Sequence, residues 1–215
     1  DEPNVPTENN PVGSYRRNFS VPSSWMGDEV FLNVGAVSSA FYVWINGEYV
    51  GYSEGSKTAS EFKVTDHLRP GNNMIAVQVY RWSTGRYLED QDFWSLSGIQ
   101  RDVTLYARPT IRVRDYFVQA GLENNYSDGT FKVDIELTND SDEPADNTIN
   151  LDILDGDETL FSTSDVLTLL PGDSSHTLST VLKNVHRWSA ETPYLYTMLV
   201  TVGEEVISQK IGFRT

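Results

Sequence analysis

Apolar residues recur at every second position along most of this chain. Over 41–45, Phe41, Val43 and Ile45 alternate with Tyr42 and Trp44, which sets successive side chains on opposite faces of a sheet. Asn46-Gly47 follows at once, and a second alternating run opens at Glu48. Asn-Gly between two such runs predicts a hairpin with a type I′ turn, because that turn needs positive φ at both central residues. The same reading predicts strands over 15–21, 29–34, 41–45, 48–53, 61–64, 73–82 and 102–107. It continues over 111–120, 130–138, 148–154, 166–170, 176–182, 195–202 and 205–213. Turns are expected at Pro70-Gly71-Asn72, Ser127-Asp128-Gly129, Asp155-Gly156-Asp157, Pro171-Gly172-Asp173 and Val202-Gly203-Glu204. No stretch holds a 3.6-residue period for three turns, and one short helical turn is predicted over 64–68.

The pattern is that of an all-β chain, and composition divides it. Residues 1–109 carry nine Lys and Arg against thirteen Asp and Glu, whereas 110–215 carry seven against eighteen. Trp25, Trp44, Trp82 and Trp94 lie in the first part and only Trp188 in the second. Such a step predicts two domains, 1–109 and 110–215. Seven short strands over the second stretch fit an immunoglobulin-like β-sandwich, and the absence of cysteine excludes the disulfide-bridged antibody form.

A net charge of -15 argues against a nucleic-acid partner, whose phosphates would be repelled, and against an anionic membrane surface. No apolar run reaches the length of a membrane span and no signal peptide opens the chain, so a soluble globular protein is expected. The abrupt start at Asp1 fits a removed leader or a fragment, and the composition suits cytoplasm and periplasm equally.

The stretch from Arg81 to Val103 departs from this plain pattern. A connection between strands is usually short and polar. This one holds Trp82, Tyr87, Phe93 and Trp94 beside Glu89, Asp90 and Asp92. Rings that stack on a sugar face, next to carboxylates that accept hydrogen bonds from hydroxyls, are what polyol recognition requires, and long loops on rigid scaffolds carry binding. The same composition also suits a loop folded over the end of a sheet. Glu89 with Asp92, or Asp90 with Asp92, are candidate carboxylate pairs, but groups so near in sequence rarely flank a sugar from both sides.

Several phrases in order carry a resemblance: VPTENNPVGSYRRNF at 5–19, FYVWINGEYVGYSEGSKTASEF at 41–62, YLEDQDFW at 87–94 with SGIQRDV at 97–103, and WSAETPYLY at 188–196 with IGFR at 211–214. Together they resemble the N-terminal part of family-two glycoside hydrolases, the long bacterial β-galactosidases of the lac type among them. The resemblance implies a jelly-roll (galactose-binding-like) sandwich over 1–109 and an immunoglobulin-like sandwich over 110–215. A (β/α)8 barrel with the two catalytic glutamates would follow, outside this chain. It implies a full-length retaining β-galactosidase, a homo-oligomer, to which this part lends scaffold and one substrate-positioning loop, with no turnover of its own. By the DQD-aromatic-Trp match, Asp92 and Trp94 would contact substrate, and Asp92 would help to hold sodium, with the other ligands in the barrel. Magnesium is also implied for the full-length enzyme. A further family sugar contact falls near Asp1, which is not the family's Asn. A divalent-ion site meets Thr84 in place of an acid, although Glu54 offers an oxygen. A β-glucuronidase or β-mannosidase of the same family and a stand-alone carbohydrate-binding module are the competing implications. A surface adhesin of tandem sandwiches is a third.

Elsewhere the candidates are structural. His67, His176 and His186 lack metal-ligand spacing. Asp140 to Glu143 and Asp155 to Glu158 lack the spacing of an EF-hand and read as solvated turns. Arg101 and Asp102 are expected to fix the loop's return into a strand, and Trp188 to pack between sheet and loop.

Overall fold

The computed structural model describes residues 4–89, 91–92 and 94–215. Asp1, Asp90 and Phe93, and with them the Asp90–Asp92 pair, lie outside the described residues. The chain divides into two compact units that meet in sequence between Arg108 and Pro109.

The first unit contains strands β1 (Val12–Val21), β2 (Glu29–Val34), β3 (Val37–Ser38), β4 (Ala40–Ile45), β5 (Glu48–Glu54), β6 (Ser60–Lys63) and β7 (Gly71–Tyr80). A single helical turn, α1 (Thr84–Leu88), then precedes β8 (Gly98–Ile99) and β9 (Val103–Arg108). One antiparallel sheet runs β1-β7-β4-β5, a second runs β6-β2-β9, and β3 pairs with β8. The alternation in the sequence sets the core. Val30, Leu32 and Val34 of β2 meet Phe41, Val43 and Ile45 of β4 and Val77 and Val79 of β7 in one buried cluster, which makes the unit a β-sandwich. Each such side chain contributes about 1.5–3 kcal/mol of hydrophobic stabilisation. The hairpin turns at Asn46 (φ 54°) and Gly47 (φ 87°), both positive as a type I′ turn requires. Asn46 is also a tertiary anchor: its amide donates to His67 O and Asn73 Oδ1 at 2.8 Å each and accepts from Met74 N at 3.1 Å.

The second unit holds β10 (Ile111–Glu123), β11 (Asp128–Asn139), β12 (Ala145–Asp155), β13 (Glu158–Leu169), β14 (Gly172–Leu182), β15 (Tyr196–Val202) and β16 (Glu205–Ile211). A three-stranded sheet, β10-β11-β14, and a four-stranded sheet, β13-β12-β15-β16, share one core that includes Phe131, Ile135, Ile149, Leu151, Met198 and Val200. This is a second sandwich.

Two local expectations change. The strand predicted at 166–170 is the end of a twelve-residue strand, β13, that pairs with β12 from Glu158 onwards. Its first part reads ETLFSTSD, with Leu160 exposed on one face and Phe161 turned to the core on the other, and it forms the edge of its sheet. The turn predicted at Ser127-Asp128-Gly129 sits earlier, at Asn124, Asn125 and Tyr126, all with positive φ. Asp128 instead opens β11 and is buried, because its carboxylate takes Lys183 Nζ at 2.7 Å, Asn184 N at 3.2 Å and Asn124 Nδ2 at 3.2 Å.

Among the described residues no helix is long and apolar enough to cross a membrane.

Candidate functional site

The stretch 81–103 connects β7 to β9 and contains α1 and β8. Most of its polar and aromatic groups are engaged in holding it in place. Asn10 clasps Trp82 by its backbone, accepting Trp82 N at 3.0 Å and donating to Trp82 O at 2.9 Å. Ser83 caps α1 by accepting Arg86 N at 3.3 Å, the usual role of serine at a helix start. The Trp82 and Tyr87 rings stack with centroids 6.0 Å apart, and the Tyr87 phenol donates to Asn4 O at 3.3 Å. Two of the loop's four expected sugar-stacking rings therefore serve as its support.

Two glutamates fasten α1 at its two ends. Glu54, at the end of β5, accepts the Gly85 N–H with one carboxylate oxygen and the Tyr52 hydroxyl with the other, the latter at 2.6 Å. Burial pushes the Glu54 carboxyl up, but the hydrogen bonds from Tyr52, Gly85 and Ser83 outweigh it and hold the pKa below the ordinary carboxylate value. Burial and the same Glu54 contact push the Tyr52 phenol well up. At the other end, the Glu89 carboxylate accepts the Ser56 N–H with both oxygens, at 2.9 and 3.1 Å. The loop returns through Gln100 N to Ala36 O at 2.9 Å and Gly35 N to Asp102 O at 3.0 Å.

Asp92 is exposed, and so is Trp94, whose residue surface is 81% exposed; Leu88 and Leu96 beside them are exposed too. Asp92 and Trp94 are the residues that the family resemblance names as substrate contacts. Glu89, the third carboxylate considered, faces the Ser56 backbone instead. A hollow of about 510 Å³ opens beneath this end of the loop, walled by Leu88, Gln91, Trp94 and Leu96 on one side and by Ser56 and Thr58 on the other. Ser56 sits in the β5–β6 turn, far from the loop in sequence, and nothing in its local context marks it. It is 4% exposed, and its hydroxyl is the one buried side-chain polar atom among the described residues with no hydrogen-bond partner.

The described residues do not group into a resident metal site. Asp92 is a single carboxylate, Glu54 is occupied by the backbone and a phenol, and no group of three His, Asp or Glu among the described residues converges as metal ligands would. The histidines are scattered: His67 contacts Glu48 at 3.2 Å, His176 contacts Asp165 at 2.8 Å, and the His186 ring lies 4.6 Å from Tyr194. Asp140 pairs with the buried Arg112 at 2.6 Å. Asp155 accepts from the Tyr194 hydroxyl at 2.7 Å, which pushes that phenol up to about 12.

Comparison with known proteins places these features. Residues 1–109 match the model of the glycosyl hydrolases family 2 sugar binding domain, and residues 111–214 match the model of glycosyl hydrolases family 2. The chain is 42% identical to a β-galactosidase of Priestia megaterium over 100% of its own length and 22% of that protein. It is 39% identical to a β-galactosidase of Halalkalibacterium halodurans, over 99% of this chain and 21% of the relative. The chain thus spans about a fifth of the curated relatives it matches. Among solved structures, a Bacteroides uniformis β-glucuronidase superposes with a TM-score of 0.84 at 24% identity, over 95% of this chain and 26% of that one. A Bacteroides fragilis protein described as a putative β-galactosidase superposes with a TM-score of 0.83 at 22% identity, over 94% and 33%. At those identities the structural likeness speaks for the fold.

Proposed function

Since the chain belongs to glycosyl hydrolase family 2, we propose that it is the non-catalytic N-terminal portion of a retaining β-galactosidase. The carrying observation is identity to bacterial β-galactosidases along the whole chain, whereas the likeness to glucuronidases is one of fold. In this reading the two sandwiches are scaffold, and the 81–103 loop supplies one wall of the sugar site.

Retaining hydrolysis needs two carboxyl groups about 5–5.5 Å apart across the scissile bond, one as nucleophile and one as acid and base. Two glutamates at the loop, Glu89 within it and Glu54 at the end of β5, do not suit that work. Glu89 is committed to the Ser56 N–H and Glu54 to Gly85 and Tyr52, so the catalytic pair belongs to the polypeptide that continues in the longer relatives. Asp92 is left to accept hydrogen bonds from substrate hydroxyls, and Trp94 offers an open ring to the apolar face of a pyranose. A sodium or magnesium ion, if the longer protein uses one, would need ligands that the described residues do not group together, and no step here depends on it.

The test compares hydrolysis of a chromogenic β-galactoside and a chromogenic β-glucuronide by the protein extended past Thr215 and by the 215-residue chain. The reading expects galactoside turnover by the extended protein and none by the chain. Turnover by the chain, or a preference for glucuronide, contradicts it.

A further inference from the structure

We propose that a hollow of about 820 Å³ in the second unit binds a small ligand through a phosphate group. Its volume lies within the roughly 300–1,000 Å³ of small-molecule sites. The first argument is where the cations of this unit go. Residues 110–215 carry seven Lys and Arg against eighteen Asp and Glu, so carboxylate partners are plentiful. Four cations take one: Arg112 meets Asp140, Arg114 meets Asp173, Lys132 meets Asp134 and Lys183 meets Asp128. Lys210 donates to Thr197 Oγ1 at 2.7 Å. Arg187 and Arg214 remain, and neither meets a carboxylate among the described residues. Both are exposed, and both line this one hollow together with His186. None of the described lining residues is an Asp or a Glu.

The second argument is how the chain assembles the donors. Arg187 bridges Phe213 in parallel register and Trp188 N donates to Phe213 O at 2.9 Å, so the two arginines come from neighbouring segments. The Arg214 guanidinium lies 5.3 Å from the Trp188 ring centroid, a cation–π contact that positions it. Its N–H donors meet no acceptor among the described residues. Ser189 Oγ accepts Thr192 N at 3.1 Å, which leaves the hydroxyl proton to donate. The His186 ring, 4.6 Å from that of Tyr194, brings a further N–H. One arginine fork satisfies a planar carboxylate, whereas donors from several segments around one volume suit the three outer oxygens of a phosphate group. Neither arginine enters the proposed function, so the inference stands independently of it.

The experiment titrates the 215-residue chain with inorganic phosphate and, separately, with acetate, at constant ionic strength. Binding is read by NMR at the Trp188 indole N–H, which is assigned by its loss in Trp188→Phe. Saturable shifts are expected for phosphate, with a Kd of about 1 mM or tighter, and weaker binding for acetate. Arg187→Gln and Arg214→Gln should each weaken phosphate binding by about tenfold, and together abolish it. Lys132→Gln makes the same change in net charge at a lysine paired with Asp134, and should leave binding unchanged. In the protein extended past Thr215, phosphate should slow the reaction of Arg187 and Arg214 with phenylglyoxal, followed by peptide mass spectrometry. Arg16, exposed in the first unit, should react equally with and without phosphate. The proposal is overturned if phosphate gives no saturable shift, if acetate binds as tightly, or if binding survives the double substitution. It is also overturned if Lys132→Gln weakens binding as much as the arginine variants do. Arginines 187 and 214 that resist the reagent in the extended protein even without phosphate would equally overturn it, since the longer polypeptide would then fill the hollow.

Discussion

Glu89 and Ser56 are joined by a bidentate contact: one backbone N–H of the β5–β6 turn is shared between two carboxylate oxygens at 2.9 and 3.1 Å. This contact ties the end of α1 to a turn some thirty residues earlier in sequence. With Glu54 on Gly85 at the start of α1, it converts a loop of about twenty residues into a fixed wall. Asp92 and Trp94 follow directly after the fastened segment, so their presentation depends on it.

Removing that fastener should be costly. Glu89→Ala leaves the N–H of the buried Ser56 unpaired and is expected to destabilise the first unit by about 1–3 kcal/mol. Glu89→Gln, which keeps one acceptor, should lose less. Urea unfolding followed by tryptophan fluorescence measures both, since four of the five tryptophans lie in the first unit. Equal stability of Glu89→Ala and the parent chain would mean that the contact carries no free energy.

Asn46 combines two demands in one residue. It takes positive φ in the hairpin turn, and its amide bonds to His67, Asn73 and Met74. Asn46→Gly keeps the backbone conformation and loses the side-chain bonds, whereas Asn46→Ala loses both. The expected order of stability is Asn, then Gly, then Ala, with Asn46→Ala lower than the parent by about 2 kcal/mol or more, in the same unfolding assay.

Gly51 sits where a methyl group does not fit. A Cβ there would lie 2.6 Å from Phe62 Cε1, and Phe62 meets the buried Phe41 edge to face at 6.1 Å. Gly51→Ala should cost about 1–3 kcal/mol by overpacking. Combining it with Phe62→Leu should recover part of the loss, which a double-mutant cycle reads directly.

The second unit carries a pH signature. The hydrogen bond from Lys183, with those from Asn184 and Asn124, holds the Asp128 carboxyl below its ordinary value despite burial, and Lys183 is correspondingly raised. A depressed carboxylate contributes stability that is present above its unfolded pKa, near 4, and is lost as pH falls through the folded value. A raised lysine contributes stability that is present below its unfolded pKa, near 10.4, and is lost as pH rises through the folded value. Stability of this unit should therefore fall at both extremes. Asp128→Asn should flatten both limbs, measured as melting temperature against pH.

The strand pattern was legible because each core residue, such as Val43 or Leu151, alternates with an outward one, and burial follows that alternation. The start of β13 was not legible, because STSD carries no apolar face and becomes a strand only by pairing with β12. The 81–103 loop was visible as an anomaly, and Asp92 and Trp94 are among its exposed residues. Its architecture was hidden. The α1 turn rests on Glu54, and Glu89 finds its partner in Ser56, both contacts between segments far apart in sequence. For the same reason the unpartnered Ser56 hydroxyl had no sequence signal: a serine in a polar turn is unremarkable until folding buries it.

In the function proposed above, this chain lends a β-galactosidase a wall built around Asp92. The most direct measurement is kcat/KM for a chromogenic β-galactoside in the extended protein, with Asp92 intact and as Asp92→Asn. Because Asp92 is exposed, the substitution should leave stability within about 0.5 kcal/mol of the parent. Yet kcat/KM should fall by about 10- to 100-fold, the effect of losing one or two hydrogen bonds to the bound sugar. Galactoside hydrolysis that is indifferent to Asp92, or absent from the extended protein altogether, would contradict the account.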